Sequence, residues 1–203
     1  NYFFKLTKYR DQLLEHIKKN PEFIMPEARR NEVVSYIENF MDDISISRSS
    51  MKWGIPVPID QDQRIYVWFD ALINYISAIG YTDETEDFKK YWPADVHIVG
   101  KDIIKFHCAL WPAMLMAAGL PLPKTVFAHG FFTINGDKIS KSLGNAIDPV
   151  ELTEKVGIDP MRYFLMKEIH FGEDGDFSEE RLKERYNGEL ANDLGNLLSR
   201  TLA

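Results

Sequence analysis

The chain has 203 residues, 45% of them hydrophobic and 13% aromatic, and its 24 basic and 31 acidic residues leave a net charge of -7. That size and apolar share suit one good-sized domain, or one domain and part of another, and the acidic balance excludes a wholly basic nucleic-acid-binding surface while leaving room for a local basic patch. Cys108 is the single cysteine, so an internal disulfide is excluded and a reducing compartment fits.

In chain order, Asn1-Tyr2-Phe3-Phe4 opens without an initiator Met or a signal-peptide pattern. Three near-consecutive aromatics need a partner surface, so the chain reads as a piece of a longer one. Residues 6–19 predict an amphipathic helix with Leu6, Leu13, Leu14 and Ile17 on one side, closed by Asn20-Pro21. Pro26 opens a second helix through about Phe40. Ile44 to Ser47 alternates like a strand, whereas the prolines of Trp53-Gly54-Ile55-Pro56-Val57-Pro58 forbid a regular central strand. From there the pattern is α/β: a strand over Arg64–Phe69, a helix over 71–79 capped by Asp70, a strand over Val96–Val99, a helix over 103–118, and a strand over Thr125–Ala128. The uncharged stretch from Phe106 to Pro123 is interrupted by Pro112, Gly119 and Pro121, so it reads as a buried helix and loop rather than a membrane span. Strand–helix–strand order implies a parallel sheet with right-handed crossovers. Residues 149–203 read as all-helical, with starts at Asp159-Pro160 and Ser178.

Ligands of open α/β sheets bind beyond the carboxyl ends of the strands. Asp70, Gly100-Lys101-Asp102 and His129-Gly130 occupy such positions in this reading. Gly100 permits close backbone approach, and Asp102 either accepts hydrogen bonds from ribose hydroxyls or caps its helix, or both. Trp68, Ala71, Leu72 and Tyr75 share one helix face, and Ile103, His107 and Trp111 share another. Such stripes are either core packing or the walls of a small apolar pocket with polar tips at Tyr75 and His107. Lys138-Ile139-Ser140-Lys141-Ser142, after the turn Asn135-Gly136 and before Gly144, makes a cationic, hydroxyl-rich loop suited to a polyphosphate. No Walker GxxxxGK[ST] is present, so a P-loop is not supported.

Lys138–Ser142 resembles the KMSKS signature of class I aminoacyl-tRNA synthetases, with Ile139 where Met is common. Ser45-Ile46-Ser47-Arg48 with Trp53-Gly54-Ile55-Pro56 is similar to the members that handle aliphatic amino acids. Tyr66 to Tyr75, Gly100 to Pro112 and Asn192-Asp193-Leu194-Gly195-Asn196-Leu197 narrow the resemblance to the methionyl-tRNA synthetase family, over essentially the whole chain. It implies the second half of a Rossmann-like catalytic domain over 1–147, then stem-contact helices and the beginning of a helical anticodon-binding domain over 148–203. It implies a methionine pocket lined by Trp68, Ala71, Leu72, Tyr75, Ile103, His107 and Trp111. Gly100 and Asp102 take the ATP ribose, and Lys138, Ser140 and Lys141 the phosphates, with Lys138 and Lys141 catalytic. ATP, with Mg2+, is the implied cofactor. The implied partners are methionine, tRNA(Met) and the N-terminal half of the same enzyme, in the cytoplasm and without a membrane. Another aliphatic class I synthetase, or an inactive RNA-binding fragment of one, is the alternative.

Three departures matter. The family's H-x-G-H motif is absent, which places it before Asn1, and the cysteines of a zinc knuckle are absent too, so no protein-bound zinc is expected. Leu72 stands where some members carry Pro, and the anticodon-reading residues are expected beyond Ala203.

Overall fold

The computed structural model describes all residues except Glu84, Asn135, 140–143 and Ala203, and the side chain of Lys138. They form two compact units, Asn1–Ala128 and His129–Ala203.

The first unit opens with strand β1 (Phe3–Phe4), a 3-10 turn (Leu6–Tyr9) and helix α1 (Arg10–Lys19), so the expected helix over 6–19 starts tighter than an α-helix. Strand β2 (Ile24–Met25) leads to α2 (Glu27–Asn39), with Pro26 as its extended N-cap. Strands β3 (Ile44–Ser45) and β4 (Ser47–Arg48) replace the single strand expected over 44–47. Next come β5 (Pro56–Val57), β6 (Asp60–Ile65), α3 (Val67–Ser77), α4 (Glu86–Tyr91) and β7 (Val96–Gly100). A 3-10 turn (Lys101–Ile103) and a π-helical turn (Phe106–Leu110) carry the chain into α5 (Trp111–Ala118), which ends at Gly119 in the left-handed conformation. Strand β8 (Thr125–His129) follows.

Strand β2 pairs parallel with β8 in the register Ile24↔Val126, and β7 lies on the other side of β8. The α/β reading with a parallel sheet therefore holds. The strand expected over Arg64–Phe69 does not: β6 stops at Ile65 and pairs antiparallel with β4 and β5 in a separate sheet. Asp70 consequently lies inside the first turn of α3 rather than at its cap, which is Tyr66, and it does not follow a strand of the parallel sheet. A carboxylate in a first turn still favours the helix through the dipole. Pro56 sits at the edge of its sheet, where a missing donor costs no ladder bond.

Two apolar clusters fill this unit. Leu13, Ile17, Phe23, Ile24, Val33, Ile37, Cys108 and Val126 belong to one. Leu72, Ile76, Trp92, Leu110, Trp111 and Leu115 belong to the other. Burial pushes the Cys108 thiol far up, so it packs as a small hydrophobe.

The second unit contains β9 (Phe132–Ile134), β10 (Asp137–Lys138), α6 (Pro149–Val156), α7 (Ile158–Glu168), β11 (Gly175–Phe177) and α8 (Glu179–Arg185). A π-helical segment (Tyr186–Leu194) and α9 (Gly195–Leu202) complete it. Ser178 caps α8 by accepting from the Arg181 amide, as its position before two glutamates predicts. The all-helical reading of 149–203 is corrected by β11, which pairs parallel with β9 while β10 pairs antiparallel on the other side. A close approach makes this possible, because a Cβ at Gly130 would meet the Glu173 carbonyl oxygen at 2.1 Å. Leu152, Met161, Phe164, Phe177 and Leu182 form the core. Among the described residues no helix is long and apolar enough to cross a membrane.

Candidate functional site

Helix α3 has two working faces. Leu72 and Ile76 are buried in the second cluster, and Trp68 and Tyr75 pack against it. Val67 and Asp70, on another face, line a groove of about 650 Å³ together with Trp53, Gly54 and Ile55. The Trp-Gly-Ile-Pro segment thus meets the start of α3, and the Arg48 guanidinium lies 4.2 Å from the centre of the Tyr66 ring.

On the first face the aromatic rings converge. Trp68 stacks on Phe106 at 4.2 Å between ring centres, with 10° between planes. The His107 ring meets Trp68 edge-on at 6.3 Å and Tyr75 at 5.6 Å. Trp111 is 6.0 Å from Tyr75 and 6.0 Å from Trp92. Aromatic pairs at such distances hold each other in defined orientations.

Hydrogen bonds assign the protons. His107 Nδ1 is 3.0 Å from the Ile103 carbonyl oxygen, which can only accept, so Nδ1 carries a proton. A neutral ring then offers Nε2 as an acceptor, and the Tyr75 hydroxyl donates to it at 2.8 Å. Burial holds His107 below its ordinary value, partly opposed by the Ile103 bond, and holds the Tyr75 phenol above its own. The pair is therefore uncharged at neutral pH. It presents polar tips in an apolar wall without the cost of a buried ion.

His97, in β7, completes this group. The strand alternates exposed Val96 and Ile98 with buried His97 and Val99, which turns the imidazole inward. Its ring lies 4.3 Å from Tyr75, and its Nε2 accepts from the Trp111 indole N–H at 3.4 Å, a long hydrogen bond. Burial, and then the nearby His107, push its pKa down to about 4.

Of the expected pocket residues, Trp68, Tyr75, His107 and Trp111 meet directly, with Leu72 in the same apolar cluster. Ala71 is exposed. The Ile103 side chain packs against the first cluster instead, and its carbonyl orients His107. Sequence reasoning missed Phe106 and His97, although the alternation of β7 carries the signal for His97. Gly100 ends β7 and is the N-cap of the turn that holds Asp102. No side chain caps that turn, and Asp102 lies exposed within its first turn.

In the second unit, Lys138 pairs with Thr133 in the β9–β10 register, while Ser140 and Lys141 lie outside the described residues. Asp176 holds the hairpin that leads to them. Its carboxylate accepts from the Thr133 hydroxyl at 2.6 Å and from the Gly136 amide at 2.8 Å, and these bonds keep its pKa below the usual carboxylate value. Asp174 accepts from the Phe131 amide at 2.7 Å. Among the described residues no three His, Cys, Asp or Glu side chains gather as a metal site.

The family described as tRNA synthetases class I (M) matches residues 1–202. A methionine–tRNA ligase of Thermotoga maritima is 58% identical over 100% of this chain and 32% of its own length. That of Rickettsia conorii is 56% identical over 99% of this chain and 40% of its own. A solved methionyl-tRNA synthetase of Mycobacterium tuberculosis, bound by methionyl-adenylate, superposes with a TM-score of 0.91 at 53% identity. It covers 100% of this chain and 40% of that one. The chain spans about a third to two fifths of the length of these relatives. With aromatic walls, a neutral Tyr–His pair and identity above one half along its whole length, the chain belongs to the class I methionyl-tRNA synthetase family.

Proposed function

We propose that the protein carrying this chain activates methionine with ATP and transfers the methionyl group to tRNA(Met). One observation carries the reading: the Trp68–Tyr75–His107–Trp111 cluster, in a chain 53% identical to a synthetase solved with methionyl-adenylate. A thioether is flexible, polarizable and apolar, and gains from ring contacts. The neutral Tyr75–His107 tips distinguish it from a plain aliphatic chain. Ala71, Leu72 and Ile103 are kept as secondary lining.

In the first step a carboxylate oxygen of methionine attacks the α-phosphorus of ATP. The bond to the bridging oxygen breaks and pyrophosphate leaves. In the second, a hydroxyl at the tRNA 3′ end attacks the acyl carbon and AMP leaves. No protein nucleophile takes part, so the residues act by positioning and charge stabilisation. Gly100 and Asp102 hold the ribose, while Lys138, Ser140 and Lys141 handle the phosphates. Lys138 and Lys141 neutralise the pyrophosphate as it departs. Mg2+ arrives with the phosphates of ATP. Residues 1–147 are assigned to the catalytic domain, and 148–203 to stem-contact helices and the start of the anticodon-binding domain. The reaction is placed in the cytoplasm, and the 203 residues alone, without H-x-G-H, are expected to be inactive.

In the full-length protein, Lys141→Ala should slow ATP–pyrophosphate exchange about tenfold or more, the scale of losing a charge-stabilising group. An unchanged exchange rate would remove the loop from the mechanism.

A further inference from the structure

His97 is buried in the aromatic cluster and has no part in the reading above. A buried imidazole is a costly choice for a sheet position that Leu or Val would fill, because its polar atoms must find partners. Here the partner is the Trp111 indole N–H, a group that can only donate and that would itself be left unpaired beside an apolar residue. The same ring lies against Tyr75 at 4.3 Å and stands 6.5 Å from His107. His97 therefore touches one residue from each helical face, and does so from a third element, strand β7. The Tyr75 ring is held between this contact and the hydrogen bond from its hydroxyl to His107.

We propose that His97 is a positioning residue for methionine selection: its Nε2 fixes the Trp111 indole and its ring fixes Tyr75, so the strand sets the shape of the thioether slot. The proposal rests on the methionine-pocket reading and adds to it the group that holds two of its walls. His97 acts through Tyr75 and Trp111, and not on the reacting atoms. Its loss should accordingly weaken side-chain recognition more than the chemical step.

The test uses the full-length protein with His97→Leu and His97→Gln. Leucine fills the space without an acceptor, and glutamine restores an amide oxygen that can accept from Trp111. His97→Leu is expected to raise the KM for methionine about tenfold, the scale of a buried donor losing its partner, while kcat changes much less. Discrimination against norleucine, which lacks the sulfur, should narrow. His97→Gln should recover most of both effects. Without substrate, the Trp111 indole N–H resonance, assigned against Trp111→Phe, should move in His97→Leu and return in His97→Gln. Should His97→Leu fail to fold, His97→Asn, whose shorter amide stops short of the indole, takes its place with the same expectation. Wild-type KM and discrimination in His97→Leu would overturn the proposal. So would equal damage in Leu and Gln variants with an unmoved indole resonance. Tyr75→Phe separates the two readings. If it leaves methionine KM unchanged, the pocket reading fails, and the indole response alone judges the hold of His97 on Trp111.

Discussion

The two units solve the problem of holding polar groups in opposite ways. In the first, Tyr75, His97, His107 and Trp111 are packed against one another and kept uncharged, so their geometry is set by burial and ring contacts. In the second, the hairpin β9–β10 is tied by the Asp176 carboxylate, which stays ionised through two hydrogen bonds. A cluster of neutral polar groups gains from dry surroundings, because each matched donor and acceptor there is strong and an unmatched one is costly. A solvent-facing hairpin is tied well enough by such an anchor, whose water-exposed bonds form and break at little cost.

The largest expected effect tests whether the first unit is prebuilt. Trp111 is 1% exposed, so Trp111→Ala should destabilise the protein by about 3–5 kcal/mol, read by urea unfolding. A loss near that of an exposed residue would mean the aromatic cluster is not part of the core.

Acidification should then loosen the two regions in separate pH windows. His97 sits at about 4 in the fold against 6.5 free, so between those values the unfolded chain binds more protons. Its contribution is complete above 6.5 and falls as pH drops toward 4, by about 1–2 kcal/mol after allowance for residual solvent screening. Asp176 behaves in the carboxylate manner. Its contribution is present above the ordinary aspartate value of 3.8 and is lost only as pH falls through its lowered value. Unfolding measured from pH 7 to 3 should therefore weaken the aromatic cluster before the hairpin. The reverse order would invert the comparison.

The smallest effect sharpens the second half. Asp176→Ala removes the acceptor for the Thr133 hydroxyl and the Gly136 amide. Amide exchange at Gly136 should speed up, while indole and histidine signals of the first unit stay in place. Exchange at the wild-type rate would show that the turn holds itself.

Much of this was legible in the residue pattern. The faces Trp68–Leu72–Tyr75 and His107–Trp111, the strands at 96 and 125, and the caps Pro26 and Ser178 stand where periodicity and capping chemistry put them. The failures have a common cause. Residues 64–69 are rich in β-branched and aromatic side chains and so read as strand. Burying Leu72 and Ile76 with Trp68 on one helical face instead draws Val67 onward into α3. Strand β11 is three residues long, with no alternation to see, and exists because the backbone at Gly130 admits Glu173.

Composition and spacing alone determined the α/β class, the aromatic faces and the chemical character of the Lys138–Ser142 segment, because these depend on local periodicity and side-chain type. Only the tertiary structure decided that His97 joins the aromatic cluster, that His107 donates to Ile103 and accepts from Tyr75, and that Asp176 ties the hairpin. Apart from the His107–Ile103 bond, which spans four residues of one helical turn, those contacts join residues 14 or more apart in the chain. Which proton sits on which nitrogen, and which carboxylate meets which amide, depends on the partners that folding brings within hydrogen-bond reach.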